Sequence, residues 1–386
     1  MITVFRERMS KMLESKKILI AAGGTGGHIN PALGTAGYIK EKNPDAQILF
    51  VGTKEKMEAK LVPQAGFDIK FIDIQGFYRS FKWADIKHNI VTLLKLLGSS
   101  RQAKKIIKEF KPDLVVGFGG YVSGPVLRMA AKMKIPTAIH EQNAFPGVTN
   151  KALAGKVDRV MLTNEKAAQY IKAKNPVTVT GLPIRGEILS ADAEKCKKEL
   201  DLNGLPLILS MGGSLGAKPL NDAVFEMIKN KADDNDCVFL HATGKNGTDF
   251  IPNLEKAGIN LAEHKNIRIC EYIDIPKCLP AADLVICRSG ASTLSELQAT
   301  GKASVLIPSP YVAENHQYHN AMALVNNDAA IIIEEKDLTG DILTQKVNEL
   351  LSDRQRLAQI GKNAADMAVT DATDRIYKVL CEAVNK

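Results

Sequence analysis

Short apolar runs rich in branched side chains recur along the chain, separated by segments of helical length. The runs predict strands over 17–22, 48–52, 69–72, 114–117, 137–139, 157–162 and 177–179. After a break come 207–211, 238–241, 267–270, 284–287, 304–307 and 330–333. They are nearly continuous in apolar residues, the pattern of strands buried on both faces. Strand and helix alternating from end to end predict repeated βαβ units, and so parallel sheets with right-handed crossovers. More than a dozen strands exceed one comfortable open sheet. Gly181-Leu182-Pro183-Ile184-Arg185 punctuates the middle of the chain and marks the hinge. The expected fold is α/β, two doubly wound domains facing a central cleft. In such sheets ligands bind in the strand-to-helix loops beyond the carboxyl ends of the strands.

Composition narrows the class. The 386 residues exceed the roughly 150 of one domain, and 45% apolar with 24% charged residues is an ordinary globular mix. The net charge of +8 conceals an asymmetry: 29 basic and 14 acidic residues fall in 1–180, against 22 and 29 in 181–386. One half is therefore drawn to an anionic partner and the other is not. No apolar run approaches the ~18–20 residues of a membrane-spanning helix. Residues 1–15 mix charges with scattered apolar positions and lack the core of a secretory signal. The six cysteines (196, 237, 270, 278, 287 and 381) form no CxxC pair and read as free thiols of a reducing compartment.

The loops carry the chemistry. Gly23-Gly24-Thr25-Gly26-Gly27-His28 follows the first predicted strand, ahead of a helix expected to begin near Asn30-Pro31. Clustered glycines let backbone approach a ligand, and a helix N-terminus offers amides to an anion, so phosphate or sugar contact is expected here. The spacing is wrong for a dinucleotide fingerprint, and no acidic residue closes the second strand, which disfavours a dehydrogenase. Similar loops follow later strands: Gly119-Gly120-Tyr121-Val122-Ser123-Gly124 and Gly212-Gly213-Ser214-Leu215-Gly216. His140-Glu141-Gln142-Asn143 leaves another strand, with Asn150 beyond it. Arg288-Ser289-Gly290-Ala291-Ser292-Thr293-Leu294-Ser295-Glu296 opens a helix. There Glu296 suits ribose hydroxyls, or Ser292 and Glu296 form a plain cap. Glu314-Asn315-His316-Gln317-Tyr318-His319-Asn320 is a polar helix start suited to sugar hydroxyls. Two histidines three apart without a third ligand do not make a zinc site.

GGTGGH, GGYVSGP, HEQN, the Leu-Pro-Ile-Arg hinge, MGGSLGA, RSGASTLSE and HQYHNA stand in the order and spacing of the MurG family of N-acetylglucosaminyltransferases. The chain resembles that family from Lys17 to its C-terminus. The resemblance implies a GT-B fold with three parts: an extension over 1–16, an acceptor and membrane-facing domain over 17–180 rejoined by 371–386, and a UDP-sugar domain over 181–370. It implies transfer of N-acetylglucosamine from UDP-N-acetylglucosamine to the C4 hydroxyl of undecaprenyl-diphospho-muramoyl-pentapeptide. The new bond would be β-1,4, with inversion, at the cytoplasmic face of the bacterial plasma membrane during cell-wall synthesis. A transferase with another lipid acceptor or a UDP-N-acetylglucosamine 2-epimerase is the alternative on this fold. Matched residue by residue, Ile273 would meet the uracil and Glu296 the ribose. Ser214, Arg185 and Ala291, Ser292, Thr293 and Leu294 would face the diphosphate. Gln317, Asn320 and Asn143 would read the sugar, and Thr25, Gly26 and Gly27 would line it. Gly24, Gly119, Gly120, Tyr121, His140 and Asn150 would lie on the acceptor side. Asn221 and Arg288 match positions linked to activity, and His316 stands where some relatives carry a second glutamine.

The acceptor hydroxyl must lose a proton as it attacks, which a base of near-neutral pKa does best. His28 is the first candidate, with a helix-entry role as its alternative, and Glu141 is the second. Helix-terminal amides and Arg185 offset the leaving charge, so no metal or other cofactor is expected. The basic excess is densest in 76–111, nine basic residues against Asp85 and Glu109. Aromatic and basic residues alternate at Phe77, Phe81, Lys82 and Trp83, followed by a helical stretch over 86–110. The expectation is core packing on one side of that helix and contact with an anionic bilayer around 77–83. No nucleic-acid module is evident, and protein partners from wall synthesis are a further expectation.

Overall fold

A computed structural model describes residues 13–76 and 83–385, without the side chains of 83–94, 96 and 97. Phe77, Phe81 and Lys82 thus lie outside the described residues, as does the side chain of Trp83. The chain divides into two compact units, Met1–Pro183 with Asp371–Lys386, and Ile184–Thr370. The division falls inside the Gly181–Arg185 segment.

The first unit holds β1 (Lys17–Ala21), β2 (Gln47–Gly52), β3 (Asp68–Phe71), β4 (Leu114–Gly117), β5 (Thr137–Glu141), β6 (Arg159–Leu162) and β7 (Thr178–Val179). They form one parallel sheet in the order β3-β2-β1-β4-β5-β6-β7. The second unit holds β8 (Leu207–Met211), β9 (Val238–Ala242), β10 (Ile267–Cys270), β11 (Leu284–Cys287), β12 (Ala303–Leu306) and β13 (Ile331–Ile332). Their order, β10-β9-β8-β11-β12-β13, repeats the same winding. Each sheet therefore reverses direction once, between β1 and β4 and between β8 and β11, and the loops after those four strands open on the crevice that the reversal creates. All thirteen predicted strands lie within or overlap these.

Apolar side chains explain why the strands read as continuous runs. Ile18 and Ile20 point to one face of the first sheet, Leu19 and Ala21 to the other, and all four are fully buried. The first face is covered by the helices Gly26–Lys42 and Ala372–Val384; the second by Gly120–Lys132 and the end of Trp83–Phe110. Ile376 and Leu380 bring the C-terminal helix into this core, and Asn43 Nδ2 donates to the Tyr377 hydroxyl at 2.7 Å. Leu13, which precedes the expected domain start, is fully buried in the same cluster. In Trp83–Phe110, Ala103, Ile106 and Ile107 enter the core while Arg101, Lys104, Lys105 and Lys108 are exposed. No helix among the described residues is long and apolar enough to cross a membrane.

One boundary differs from expectation. The first helix begins at Gly26, not near Pro31, so Pro31 lies inside it and His28 in its first turn. Pro31 lacks an N–H and its ring crowds the carbonyl four residues back, yet the helix starts before it because the Thr25 carbonyl accepts from His28 and Ile29 N–H at 3.1 and 3.2 Å.

Both sheets bury a histidine. His140 in β5 and His241 in β9 are fully buried, and burial pushes each down to about 4. His241 Nδ1 lies 2.8 Å from Ser210 Oγ. The unfolded chain binds these protons at about pH 6.5 and the folded chain only near 4, so stability is full above 6.5 and is lost as pH falls through that window. Each histidine should cost about 3 kcal/mol by pH 4. Urea midpoints measured across this range should fall, and His241→Phe should flatten the slope of the second unit's transition. An unchanged slope in that variant would refute the assignment.

Candidate functional site

In the first unit, the loops after β1, β4 and β5 meet around His28. Its Nδ1 lies 3.1 Å from the Gly23 carbonyl oxygen and 3.3 Å from Thr25 Oγ1. A carbonyl only accepts, so the ring proton sits on Nδ1 and Nε2 keeps its lone pair. Burial lowers the imidazole below the usual 6.5, against opposing pulls from the Gly23 carbonyl and the Glu58 charge. The ring edge lies on Gly119, where φ is +97° and a β-carbon would come within 2.7 Å of His28 Cδ2. Gly120, at φ +75°, approaches Gly23 so closely that a β-carbon would meet its carbonyl oxygen at 2.3 Å. These two positions need glycine for conformation and for space alike. Gly24, Thr25, Gly26 and Gly27 complete the turn into the helix, with Thr25 exposed at its N-cap. Tyr121 is half exposed, its ring against Gly76.

The loop after β5 is held by its own polar groups. Glu141 is 2% exposed. One carboxyl oxygen accepts from Asn143 N–H and Nδ2 at 2.9 and 3.2 Å, the other from Gly147 N–H and Asn150 Nδ2 at 3.0 and 2.8 Å. Four donors on a buried carboxyl make a clamp for 143–150, which leaves neither oxygen placed to take a proton from a ligand. His140 is buried too, stacked on Phe118, with Nε2 at 2.9 Å from the Gly181 carbonyl oxygen. Asn150 Nδ2 also donates to the His140 carbonyl oxygen at 3.2 Å.

In the second unit, the loops after β8 and β11 lie side by side at the reversal point. Gly290 caps the helix Ala291–Ala299 without a side-chain cap bond, so the first-turn amides of Ala291, Ser292 and Thr293 have no helical partner, while Leu294 N–H donates to the Gly290 carbonyl oxygen at 3.0 Å. Ser292 and Glu296 do not form a cap pair: Glu296 Oε1 accepts from Arg185 Nε and Nη2 at 3.0 and 2.9 Å. Burial raises the Glu296 pKa, and Arg185 pulls it back. Ser214 is exposed at the tip of the loop after β8. Ile273, half-buried, sits between β10 and the helix Ile275–Ala281. Gln317 Oε1 accepts from Ser309 N–H at 2.8 Å, an arrangement that turns its amide nitrogen away from that backbone. Asn320 is buried and donates to the Ser289 carbonyl oxygen at 3.3 Å. Asn221 Nδ2 bonds the Thr243 carbonyl oxygen at 2.9 Å. Arg288 pairs with Glu335 and donates to the Ile307 carbonyl oxygen, so both of these residues brace loops.

Glu58 escapes sequence reasoning. It stands in Lys54-Glu55-Lys56-Met57-Glu58, which reads as a solvated face, yet it is fully buried. Oε2 accepts from Gly24 N–H at 3.1 Å, and Oε1 from Thr53 N–H and Oγ1 at 3.0 and 2.7 Å. A negative charge behind the first glycine loop, holding one of its amides inward, disfavours a phosphate there. Only the close approach of Gly23 and Gly52, where β-carbons would strike Glu58, hints at it. Glu58→Gln sets an N–H against one of these donors and should cost about 1–3 kcal/mol, read as a lower urea midpoint for the first unit. An unchanged midpoint would sink this account.

Comparisons with known proteins agree with this layout. Residues 18–162 match the glycosyltransferase family 28 N-terminal domain, and 207–376 the C-terminal domain. A UDP-N-acetylglucosamine--N-acetylmuramyl-(pentapeptide) pyrophosphoryl-undecaprenol N-acetylglucosamine transferase of Acetivibrio thermocellus is 47% identical over 366 residues, 94% of this chain and 97% of that protein. One of the same name from Thermoanaerobacter sp. is 45% identical, over 94% and 99%. The crystal structure of Acinetobacter baumannii MurG superposes with a TM-score of 0.75 at 30% identity, covering 95% and 99%. The fold is of the GT-B type, and the chain belongs to the MurG family of glycosyltransferase family 28.

Proposed function

We propose that the chain transfers N-acetylglucosamine from UDP-N-acetylglucosamine to the C4 hydroxyl of undecaprenyl-diphospho-muramoyl-pentapeptide, by single displacement with inversion. The observation that carries the mechanism is the geometry of His28: Nδ1 is turned to the Gly23 carbonyl oxygen, which leaves Nε2 as the lone-pair acceptor, and burial lowers the imidazole pKa from its usual value. As the hydroxyl oxygen attacks the anomeric carbon, its proton passes to Nε2 and the bond from that carbon to the diphosphate breaks. The leaving UDP takes the electron pair. Its charge is offset by the amides of the first turn of Ala291–Ala299 and by Arg185. Glu296 receives the ribose hydroxyls, Ile273 backbone the uracil, and Gln317 with Asn320 the sugar. Relatives of this identity bearing the transferase name weigh against an epimerase, and no cofactor is required by the chemistry.

Peripheral attachment to an anionic membrane surface belongs to the same reading. The exposed Arg101, Lys104, Lys105 and Lys108 form a basic face on a helix whose other side enters the core. Each cation near an anionic surface contributes about 1 kcal/mol. The cytoplasmic face is where UDP-sugar is at hand.

Radiolabel should pass from UDP-N-acetylglucosamine to the muramyl-diphospho-lipid, with UDP-galactose and UDP-glucose competing poorly. His28→Ala should lower turnover by about 10²–10⁴-fold with little change in UDP binding. Turnover at the wild-type level in that variant would remove His28 from the mechanism, and sugar release without lipid labelling would favour the epimerase. In liposome flotation the protein should rise with anionic vesicles and release as salt is raised. Binding indifferent to lipid charge would refute the electrostatic part.

A further inference from the structure

Gln142, directly after β5, is 2% exposed. Its side-chain nitrogen lies 3.1 Å from His140 Nδ1 and 2.9 Å from the His140 carbonyl oxygen. His140 Nε2 faces the Gly181 carbonyl, so the ring proton of this neutral histidine sits on Nε2 and its Nδ1 is a bare acceptor. Both partners of the Gln142 amide on this side are thus acceptors. The NH₂ group must face them, and the side-chain oxygen must face the other way. That oxygen is buried and accepts no hydrogen bond from the described residues. A buried polar atom without a partner is uncommon and asks for a reason.

The reason lies across Gly119. A β-carbon on Gly119 would sit 3.5 Å from Gln142 Oε1 and 2.9 Å from His28 Nε2, so both atoms border the same small volume. In the resting protein each is an acceptor, and two acceptors cannot bond. Adding a proton to Nε2 converts one of these two neighbours of Gly119 into a donor.

We infer that Gln142 is the positioning residue for the protonated form of His28, its side-chain oxygen accepting the hydrogen bond from Nε2–H once that nitrogen holds the proton of the attacking hydroxyl. The source of the proton rests on the transferase reading; the pairing does not. In the step itself the hydroxyl O–H bond breaks, the new carbon–oxygen bond forms, and the bond to UDP breaks with its electron pair. The proton is left on Nε2 and is later lost to solvent. The glycosidic oxygen that results is a poor acceptor, so the Gln142 oxygen supplies the partner that the imidazolium needs. His140 and the Gly181 carbonyl fix the direction of the amide from behind, two residues before the end of the first unit's first segment. Among the described residues, the charged group facing His28 is Glu58, from the helix Glu58–Gln64. Neutral His140 stands behind Gln142, Thr25 Oγ1 borders Nδ1, and the Gly119–Gly120 side presents backbone.

The test is the NMR titration of His28 in full-length protein labelled with ¹⁵N-histidine, the signal assigned with His28→Asn. Gln142→Leu removes the acceptor and should lower the His28 pKa by about half a unit. Gln142→Glu places a charge there and should raise it by about one unit. The acid limb of kcat/KM should move in the same opposite directions, with turnover down roughly tenfold in Gln142→Leu. A residue that only supported the fold would move both variants one way or neither. Circular dichroism establishes folding, and because each variant has its own sign, either one decides if the other does not fold. Shifts of the same sign, or an unmoved titration in a folded variant, would overturn the inference. The titration needs no substrate, so a wild-type protein inactive in the transfer assay would remove the functional reading alone.

Discussion

The buried carboxyl of Glu58 is the constraint on which the first unit's site depends. It draws Gly24 N–H and both donors of Thr53 inward and so fixes the turn between β1 and the helix Gly26–Lys42. The turn in turn aims the Gly23 carbonyl at His28 Nδ1 and settles which ring nitrogen keeps its lone pair. Burying a carboxyl is costly unless its oxygens are bonded, and these bonds compensate for it. What the loop gains is a local potential hostile to phosphate and favourable to a histidine that takes up a proton.

That local sign runs against the net charge. With the C-terminal segment counted, the first unit still carries +15 and the second −7. Yet the carboxyl beneath a glycine loop is in the basic unit, and the first-turn amides with Arg185 are in the acidic one. Net charge acts over distances comparable to the Debye length, about 8 Å in physiological salt, and steers approach; a site is decided by dipoles and charges within hydrogen-bond reach. The asymmetry therefore describes the surface that the exposed Arg101, Lys104, Lys105 and Lys108 present, and says little about which loop takes the diphosphate.

The same distinction governs what was legible in the sequence. All thirteen strands could be read because burial on both faces writes a continuous apolar run, as in the Leu114–Gly117 strand, whose four residues are all buried. The glycine loops were legible for a similar reason, since close approach excludes side chains. The start of the first helix was misplaced because Pro31 resembles a first-turn proline, and only the Thr25 carbonyl reveals the earlier start. Glu58 was invisible, because a charged residue among lysines looks solvated until the loops that cover it are known. Glu141 was visible but misjudged: its type fits a base, while its four donors make it a clamp. Residue identity carries chemistry, and only partners decide whether that chemistry is free.

Arg185 and Glu296 show how the second unit keeps its own charges satisfied. Glu296 is largely buried, and burial alone would favour its neutral form; the two bonds from Arg185 oppose that. In the proposed reaction the diphosphate competes for Arg185 while the ribose hydroxyls arrive at Glu296. Only Oε1 is engaged by the guanidinium, so ribose can bond Oε2 before Arg185 turns. On that proposal nucleotide binding is an exchange of partners in which the largely buried Glu296 carboxyl keeps a donor throughout, while the half-exposed Arg185 guanidinium stays within reach of water. The two units thus solve opposite problems by one rule. Glu58 keeps its bonds and holds a loop still, while in the proposed reaction Glu296 stays bonded by trading partners.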